Sequence, residues 1–332
     1  MANLKLTLAC WDYDRTRPLF DGRVRPRNID LDLWSTNNVG EIMERMLQKR
    51  QFDVSELGIT YYLRSLELMG APFIAIPVFP NRFFRHSAIF VNAHKGIQSP
   101  GDLAGRPVGE LLRYGHDAGI WTKGVLSDDF GVRASSMEHY VGGIERTMLE
   151  PDWAPLDPPA DVSIHRLTPE QGLDAMLERG EIDALFSAHI PPSARHNPDR
   201  VQRLFPDFEH VERDYFRRTG IFPIMHTVVI RRDVYEQNRW IARELMQAFE
   251  DAKALAIQAY NAADTFFNAA TMIPWFVSLR EKNRALLGEN FWPYGIEANR
   301  KVLEACLRYH KEQGILKRFY EIEELFAPET LS

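Results

Sequence analysis

Three histidines lie on loops at predicted strand ends and could exchange protons with a bound molecule. They are His86, His116 and His226. An imidazole has an ordinary pKa of about 6.5, so one side chain can give or take a proton near neutral pH. A structural hydrogen-bonding role is the alternative for each of the three. We predict that this group contains the general acid and the general base of a reaction.

Two pairs of arginines lie on two of the same predicted loops. Arg15 and Arg17 follow the first strand, and Arg82 and Arg85 precede His86. The planar guanidinium group holds a carboxylate or phosphate through two parallel hydrogen bonds. Surface or interlobe salt bridges are the alternative for any one of them. Two pairs in two loops favour the binding of an organic anion.

The loop after the first strand carries further candidate binding residues. Trp11 and Tyr13 could hold an aromatic ring between apolar surfaces. Asp14 could orient a neighbouring arginine or histidine, and Glu56 is a weaker candidate at the end of another strand. These residue types add apolar and acidic side chains to the predicted anion-binding loops.

Sequence motifs for common cofactors are absent. The chain has no His-Glu-x-x-His or paired-cysteine motif, no Gly-x-Gly-x-x-Gly and no phosphate-binding loop. Its two cysteines, Cys10 and Cys306, are too few for a disulfide framework or a structural zinc site. We expect no nucleotide cofactor and no obligatory metal. A divalent metal stays open, because His and Asp are abundant in the candidate loops.

Composition narrows the class of protein. The chain has 332 residues, 45% of them hydrophobic and 26% charged, with a net charge of −6. This balance is typical of a globular protein and does not favour a nucleic-acid partner held by a basic surface. No secretory signal and no apolar run of roughly 18–20 residues is present. We therefore expect a cytoplasmic protein without a membrane partner.

The elements that must position these residues alternate between strand and helix. Period-two segments at 4–10 and 29–34 predict strands, and apolar residues at helical spacing predict a helix from 40. The alternation of predicted strands and helices starts again near residue 99, which predicts a second lobe. In that lobe, Thr168 with Pro169 predicts a helix start and Gly180 its end.

Two α/β lobes are therefore expected, with the first assembled from both ends of the chain. We place lobe 1 at 1–92 and 222–332, including a C-terminal helical region, and lobe 2 at 93–221, with a Pro-rich loop at 151–159. Two crossings between the lobes predict a hinged clamshell. Open α/β sheets bind ligands at the carboxyl ends of their strands, where the candidate loops lie.

Four passages of the sequence resemble the 4,5-dihydroxyphthalate decarboxylase family. They are 8–17 (LACWDYDRTR), 74–86 (IAIPVFPNRFFRH), 180–185 (GEIDAL) and 218–230 (RTGIFPIMHTVVI). Two departures lie in candidate loops, namely Trp11 in place of a small residue, and the loop at 112–117. They bear on the exact substrate rather than on the fold.

The resemblance implies a type II periplasmic-binding-protein-like fold and the non-oxidative loss of CO₂ from a hydroxylated aromatic acid. Protonating the ring carbon that bears the carboxylate avoids an aryl carbanion, with a phenolic hydroxyl supplying electrons. An arginine should hold the carboxylate that stays, since binding the leaving one would stabilise the ground state. A nucleophilic role for Cys10 is disfavoured, because decarboxylation needs no covalent intermediate.

Other functions remain open at this stage. A solute-binding protein for an aromatic acid, or another small-molecule enzyme on the same fold, fits the same residues. The aromatic residues of the C-terminal region, such as Trp275 and Trp292, could pack a homo-oligomer interface or cover the first lobe. Release of CO₂ from hydroxybenzoates separates an enzyme from a binding protein.

Overall fold

The computed structural model describes residues 2–67, 70–145, 159–266 and 271–331. The strands, in chain order, are β1 (Leu4–Ala9), β2 (Ile29–Trp34), β3 (Val54–Gly58), β4 (Phe73–Ile76), β5 (Ile89–Asn92), β6 (Pro107–Leu111), β7 (Glu138–Gly142), β8 (Ser163–Arg166), β9 (Ala184–Phe186), β10 (Val201–Arg203) and β11 (His226–Arg231). The helices are α1 (Arg17–Phe20), α2 (Val39–Lys49), α3 (Ile59–Glu67), α4 (Asp117–Phe130), α5 (Leu173–Arg179), α6 (Ser193–His196), α7 (Phe208–Thr219), α8 (Arg232–Gln237), α9 (Ile241–Phe266), α10 (Phe276–Leu287) and α11 (Arg300–Glu312). Most of the predicted Pro-rich loop at 151–159 lies outside the described residues.

The chain divides into two compact units. Unit 1 comprises the residues up to 82, 226–303 and those from 320 on, and unit 2 comprises 83–225 and 304–319. Each unit contains one sheet with helices packed on it. Both units are therefore assembled from separate stretches of the chain, and most of the last helix, α11, belongs to unit 2.

The sheet of unit 1 has the strand order β2-β1-β3-β11-β4. Strand β1 pairs in parallel with β2 and β3, whereas β11 runs antiparallel between β3 and β4. Strands β3 and β4 are buried along their whole length: β3 lies inside the sheet, and β4, at the sheet edge, is flanked by the C-terminal segment through a bridge between Ala75 and Phe326. This order brings the N-terminus of β11 to the edge of the sheet where β3 ends.

The sheet of unit 2 has the strand order β10-β5-β9-β6-β7-β8. Its core contains Ile89, Val108, Leu126 and Phe186, all almost fully buried. Helix α4 follows β6 and begins after His116, whose Nδ1 accepts a hydrogen bond from Ala118 N at 3.3 Å. Helix α4 thereby starts on a histidine that is itself a candidate site residue.

The boundaries between the units differ from the predicted 92/93 and 221/222. Strand β5 belongs to unit 2 because it pairs with β9 and β10. The Trp121 indole donates to the Ile224 carbonyl at 2.7 Å, which keeps the segment up to 225 in unit 2. Residues 304–319 belong there as well, since the Tyr309 hydroxyl donates to Asp128 at 2.6 Å. These contacts join residues far apart in sequence, so local patterns did not predict them.

The helix predicted to start at Thr168 begins four residues later. Gly172 precedes its first residue, and Thr168 forms a turn in which its backbone N–H donates to the Gln171 side chain at 2.8 Å. The predicted end is confirmed, since Gly180 adopts a left-handed φ of 77° at the C-cap.

Among the described residues, no helix combines the length and apolar character needed to cross a membrane. The cytoplasmic location stays a prediction.

Candidate active site

One edge of the unit 1 sheet collects most of the candidate residues of that unit. The loop carrying Trp11 to Arg15 follows β1, and His226 is the first residue of β11. His226 pairs with Gly58 across the antiparallel ladder, and Glu56 lies two residues before Gly58. Side chains two apart on a strand share a face, so Glu56 and His226 project on the same side of the sheet.

The Glu56 carboxylate is fully buried and is the centre of this group. Its Oε1 accepts hydrogen bonds from the Tyr13 hydroxyl at 2.7 Å and from His226 Nδ1 at 2.5 Å. Its Oε2 accepts from the Trp11 backbone N–H at 2.9 Å and from the Cys10 thiol at 3.3 Å. A carboxylate offers about four lone-pair sites, and all of them face donors of this chain.

These contacts fix the charges of the group. Burial opposes the charged form of Glu56, yet the hydrogen bond and charge of His226, with the donors on Trp11 and Tyr13, hold the pKa of Glu56 below its ordinary value. Burial first, and then the charge of Glu56, raise the pKa values of the Cys10 thiol and the Tyr13 hydroxyl well above their usual ranges. Glu56 is therefore ionised, while Cys10 and Tyr13 are neutral donors and His226 carries a proton on Nδ1.

The second ring nitrogen of His226 remains available for chemistry. Its Nε2 makes no hydrogen bond with any residue that the structure describes. A histidine held at Nδ1 by a carboxylate and open at Nε2 can act as a general acid or base.

Arg15 is held rigidly beside this group. Its guanidinium carbon lies 4.1 Å from the ring centre of Tyr13 and 4.1 Å from that of Trp292, so both faces of the plane are covered. Nε donates to the Pro80 carbonyl at 2.7 Å, Nη2 donates to the same oxygen, and Nη1 donates to Asp14 Oδ1 at 3.0 Å. Three of the five N–H donors are used on the protein, which leaves two for an anionic ligand.

The rest of the loop supports this arrangement. Asp14 accepts from the Tyr260 hydroxyl as well as from Arg15, and so links the arginine to helix α9. The Trp11 ring meets the Tyr13 ring edge to face at 5.5 Å. The buried Thr16 hydroxyl donates to the Trp11 carbonyl at 2.7 Å and accepts from Tyr13 N at 2.9 Å, which closes the loop on itself.

Two other arginines of unit 1 are engaged elsewhere. Arg17 forms a surface ion pair with Asp12 at 3.0 Å. Arg82 is buried and donates to the Pro293 carbonyl at 2.8 Å and to the Asn299 side chain. Burial lowers the pKa of Arg82 to about 9. Their contacts fit the salt-bridge and structural alternatives, and their role in substrate binding stays a prediction.

Three candidate residues lie in unit 2. Arg85 is buried with Nη2 at 2.8 Å from the Met225 sulfur, and burial lowers its pKa to about 10. His86 packs with its ring centre 5.5 Å from that of Phe205 and 5.1 Å from that of Tyr215, and burial lowers its pKa to about 4. His86 is thus a neutral, packed imidazole, and His116 is a helix cap.

A second buried carboxylate, in unit 2, was not a candidate in the sequence. Glu110 in β6 accepts hydrogen bonds from Lys123 Nζ at 2.6 and 2.5 Å and from the Gly115 backbone N–H at 3.1 Å. His139 Nδ1 lies 3.4 Å from Glu110, and its Nε2 lies 2.9 Å from the Ala134 carbonyl. Burial opposes the charge of Glu110, but Lys123 and His139 lower its pKa to about 2.

One sequence signal could have singled out both carboxylates. Glu56 and Glu110 each interrupt an otherwise uncharged strand, at 54–58 and 107–111. A charge on a strand buried on both faces is costly unless donors surround it. Such a residue therefore indicates a local cluster of partners.

No group of three His, Cys, Asp or Glu side chains suited to a metal ion occurs within the described part of the chain. The absence of a metal from the reaction stays a prediction.

Two proteins of known name are similar to this chain in sequence. No family model matches it. The 4,5-dihydroxyphthalate decarboxylase of Comamonas testosteroni is 33% identical over 332 residues, which cover 100% of this chain and 98% of that protein. The decarboxylase of the same name from Pseudomonas putida is 33% identical over 218 residues, or 65% of this chain and 83% of that protein.

Solved structures share the fold at low identity. The periplasmic sulfonate-binding protein SsuA of Methylobacillus flagellatus aligns with a TM-score of 0.54 and 13% identity, covering 99% of this chain and 93% of that one. The periplasmic aliphatic sulphonate-binding protein SsuA of Escherichia coli gives 0.54 and 12%, covering 99% of both chains. The predicted two-lobed periplasmic-binding-protein-like fold is confirmed. With a relative that is one-third identical along its full length, the chain belongs to the 4,5-dihydroxyphthalate decarboxylase family, and the predicted enzyme class, a decarboxylase, is confirmed with it.

Proposed function

We propose that this enzyme removes one carboxylate from 4,5-dihydroxyphthalate, or from a close analogue, as CO₂. The proposal is carried by one observation: the same edge of the unit 1 sheet holds Arg15, with two N–H donors not used on the protein, and His226, whose Nε2 has no partner among the described residues. The names of the relatives support the choice of substrate.

The reaction needs a proton on the ring carbon that carries the departing carboxylate. We assign that proton to Nε2 of His226, because ionised Glu56 stabilises the imidazolium from the other side. The hydroxyl para to this carbon supplies electrons as the proton arrives. The bond to the carboxylate then breaks, its electron pair restores the aromatic ring, and CO₂ leaves. The overall change consumes one proton and yields 3,4-dihydroxybenzoate.

Arg15 is assigned to the carboxylate that stays on the ring. Its plane is fixed by Tyr13, Trp292 and the Pro80 carbonyl, so its two remaining donors are oriented before the substrate binds. A rigid donor pair loses little freedom on binding. Holding the retained group leaves the reacting carboxylate free to lose its charge.

Product analysis in D₂O tests the proposal. Purified enzyme with 4,5-dihydroxyphthalate should release CO₂ and give 3,4-dihydroxybenzoate with one deuterium ortho to its carboxylate. Phthalate, which lacks the hydroxyls, is the matched control and should not react. A folded enzyme that releases no CO₂ from any hydroxylated phthalate or benzoate, whether or not it binds them, refutes the proposal.

A further inference from the structure

We infer that Glu56 is the positioning residue of this site: its carboxylate fixes the tautomer of His226 and so makes Nε2 the atom that exchanges a proton with the substrate. The inference rests on the proposed function for its catalytic consequence. Its structural part concerns only residues of unit 1 and does not depend on the substrate.

The argument begins with the number of donors around Glu56. Four groups from separate parts of the chain point at its two oxygens, at 2.5 to 3.3 Å. One of them is a backbone N–H, which cannot accept a proton or reverse its role. An ionised carboxylate with a proton on each donor, including Nδ1 of His226, satisfies every one of these contacts, and the same donors hold the pKa of Glu56 below its ordinary value.

This arrangement decides which nitrogen reacts. A neutral imidazole carries one proton, and Glu56 holds it on Nδ1, so the lone pair lies on Nε2. When Nε2 takes a second proton, the buried negative charge 2.5 Å from Nδ1 stabilises the imidazolium. Glu56 thus acts through His226, which is the residue that would contact the ring.

A glutamine at this position would reverse the tautomer. Its NH₂ group cannot face the Trp11 backbone N–H, since both are donors, so it must face Tyr13 and His226. It would then donate to Nδ1 and leave the single imidazole proton on Nε2. The size and shape of the side chain are nearly unchanged, but the negative charge that stabilises the imidazolium is gone, so Nε2 no longer picks up the second proton that it delivers to the substrate.

A purely structural role for Glu56 predicts something different. The carboxylate also ties the 10–13 loop to β3 and β11, so its loss would lower stability in either case. A structural role alone leaves the His226 tautomer and the pH dependence of kcat unchanged. The tautomer of His226 and the pH profile of kcat therefore distinguish a positioning role of Glu56 from a purely structural one.

The test is the ¹⁵N NMR spectrum of the histidine side chains, without substrate, above the titration range of the imidazoles. The His226 signals are assigned from their loss in His226→Gln. In the unmodified protein, Nδ1 of His226 should be protonated, and in Glu56→Gln the proton should move to Nε2. Glu110→Gln, which changes the other buried carboxylate next to a histidine, should leave the His226 signals unchanged.

Kinetics supply the second measurement. With 4,5-dihydroxyphthalate, Glu56→Gln should lower kcat by about 10²–10⁴-fold, keep KM within about threefold and displace the pH profile of kcat. Glu56→Asp keeps the charge and should recover part of kcat.

The outcomes are distinguishable. A proton on Nε2 in the unmodified protein overturns the inference even if Glu56→Gln fails to fold, and so does a Glu56→Gln enzyme with unchanged kcat and pH profile. If the tautomers are as expected but the unmodified enzyme releases no CO₂, the positioning of His226 stands and the proposed function fails.

Discussion

Two buried carboxylates, one in each unit, show how the same residue types can serve different ends. Glu56 and Glu110 both lie on strands with parallel neighbours, both are almost completely buried, and both face Nδ1 of a histidine. In unit 2, Lys123 neutralises the carboxylate and the Ala134 carbonyl occupies Nε2 of His139. In unit 1, none of the described lysines or arginines forms an ion pair with Glu56, and Nε2 of His226 is open.

The two clusters therefore differ at the far nitrogen of the histidine rather than at the carboxylate. We expect the Glu110 cluster to serve the stability of unit 2, because Lys123 neutralises its charge and a backbone carbonyl occupies Nε2 of His139. In the Glu56 cluster, Nε2 of His226 has no partner among the described residues, and our proposal makes that nitrogen the one that exchanges a proton.

The largest effect should come from removing that atom. In His226→Gln, kcat should fall by about 10²–10⁴-fold while KM changes little, because the acid is lost and the binding groups remain. His139→Gln is the matched control in the other cluster and should keep kcat per folded molecule. Steady-state decarboxylation assays measure kcat and KM for both variants. Equal losses of kcat in the two variants would contradict a special role for His226.

Breaking the other cluster should instead cost stability. Lys123→Met leaves the Glu110 charge buried without its cation, and the free energy of unfolding should fall by about 3–5 kcal/mol. The double variant Lys123→Met/Glu110→Gln should recover part of that loss, since no charge remains. Urea denaturation measures both, and a single variant as stable as the original would contradict a charged pair at this position.

A histidine packed between aromatic rings extends the comparison to pH. The pKa of His86 falls from its ordinary 6.5 to about 4 in the folded state, because the ring is buried. The unfolded chain therefore binds a proton first, and stability should decline as pH drops from about 6.5 to 4, by about 3 kcal/mol in total.

His86→Phe should remove that part of the decline. Thermal or urea unfolding of both proteins across this pH range gives the difference. Parallel stability curves for the variant and the original would show that folding does not lower the pKa of His86.

The smallest effect concerns Arg15, to which we assign the binding of the retained carboxylate. Arg15→Lys keeps the charge but loses the planar donor pair and its stacking, so KM should rise roughly tenfold with kcat little changed. Arg17→Lys, in the exposed pair with Asp12, should change KM by less than about twofold. A larger change in KM for Arg17→Lys than for Arg15→Lys would assign anion binding to Arg17 instead of Arg15.

Many of the strands and helices could be predicted from the sequence, because their apolar residues recur with a clear local period. The alternation Leu4, Leu6, Leu8 identified β1, and the β-branched run at 227–230 identified β11 together with the histidine before it. The order of the strands could not be read in the same way. It depends on β11 entering between β3 and β4, which is a pairing of segments far apart in the chain.

The site was predicted in part for the same reason. His226, Arg15, Tyr13 and Asp14 stand at strand ends and could be recognised by residue type. Glu56 was undervalued, because its importance comes from donors on Cys10, Trp11, Tyr13 and His226, of which the last lies 170 residues away. The contacts that bury Arg82 and His86 could not be predicted either, because they are made with residues far away in the sequence.

The place of β11 in the sheet also has a consequence for synthesis of the protein on the ribosome. Strands β3 and β4 are formed early, yet neither pairs with the other, because β11 lies between them. The unit 1 sheet therefore cannot be completed until residue 231 has emerged, by which time most of unit 2 is already available to fold. A nascent chain shorter than this contains Glu56 and Arg15 but no His226, so the site can form only once the insertion of unit 2 has been passed.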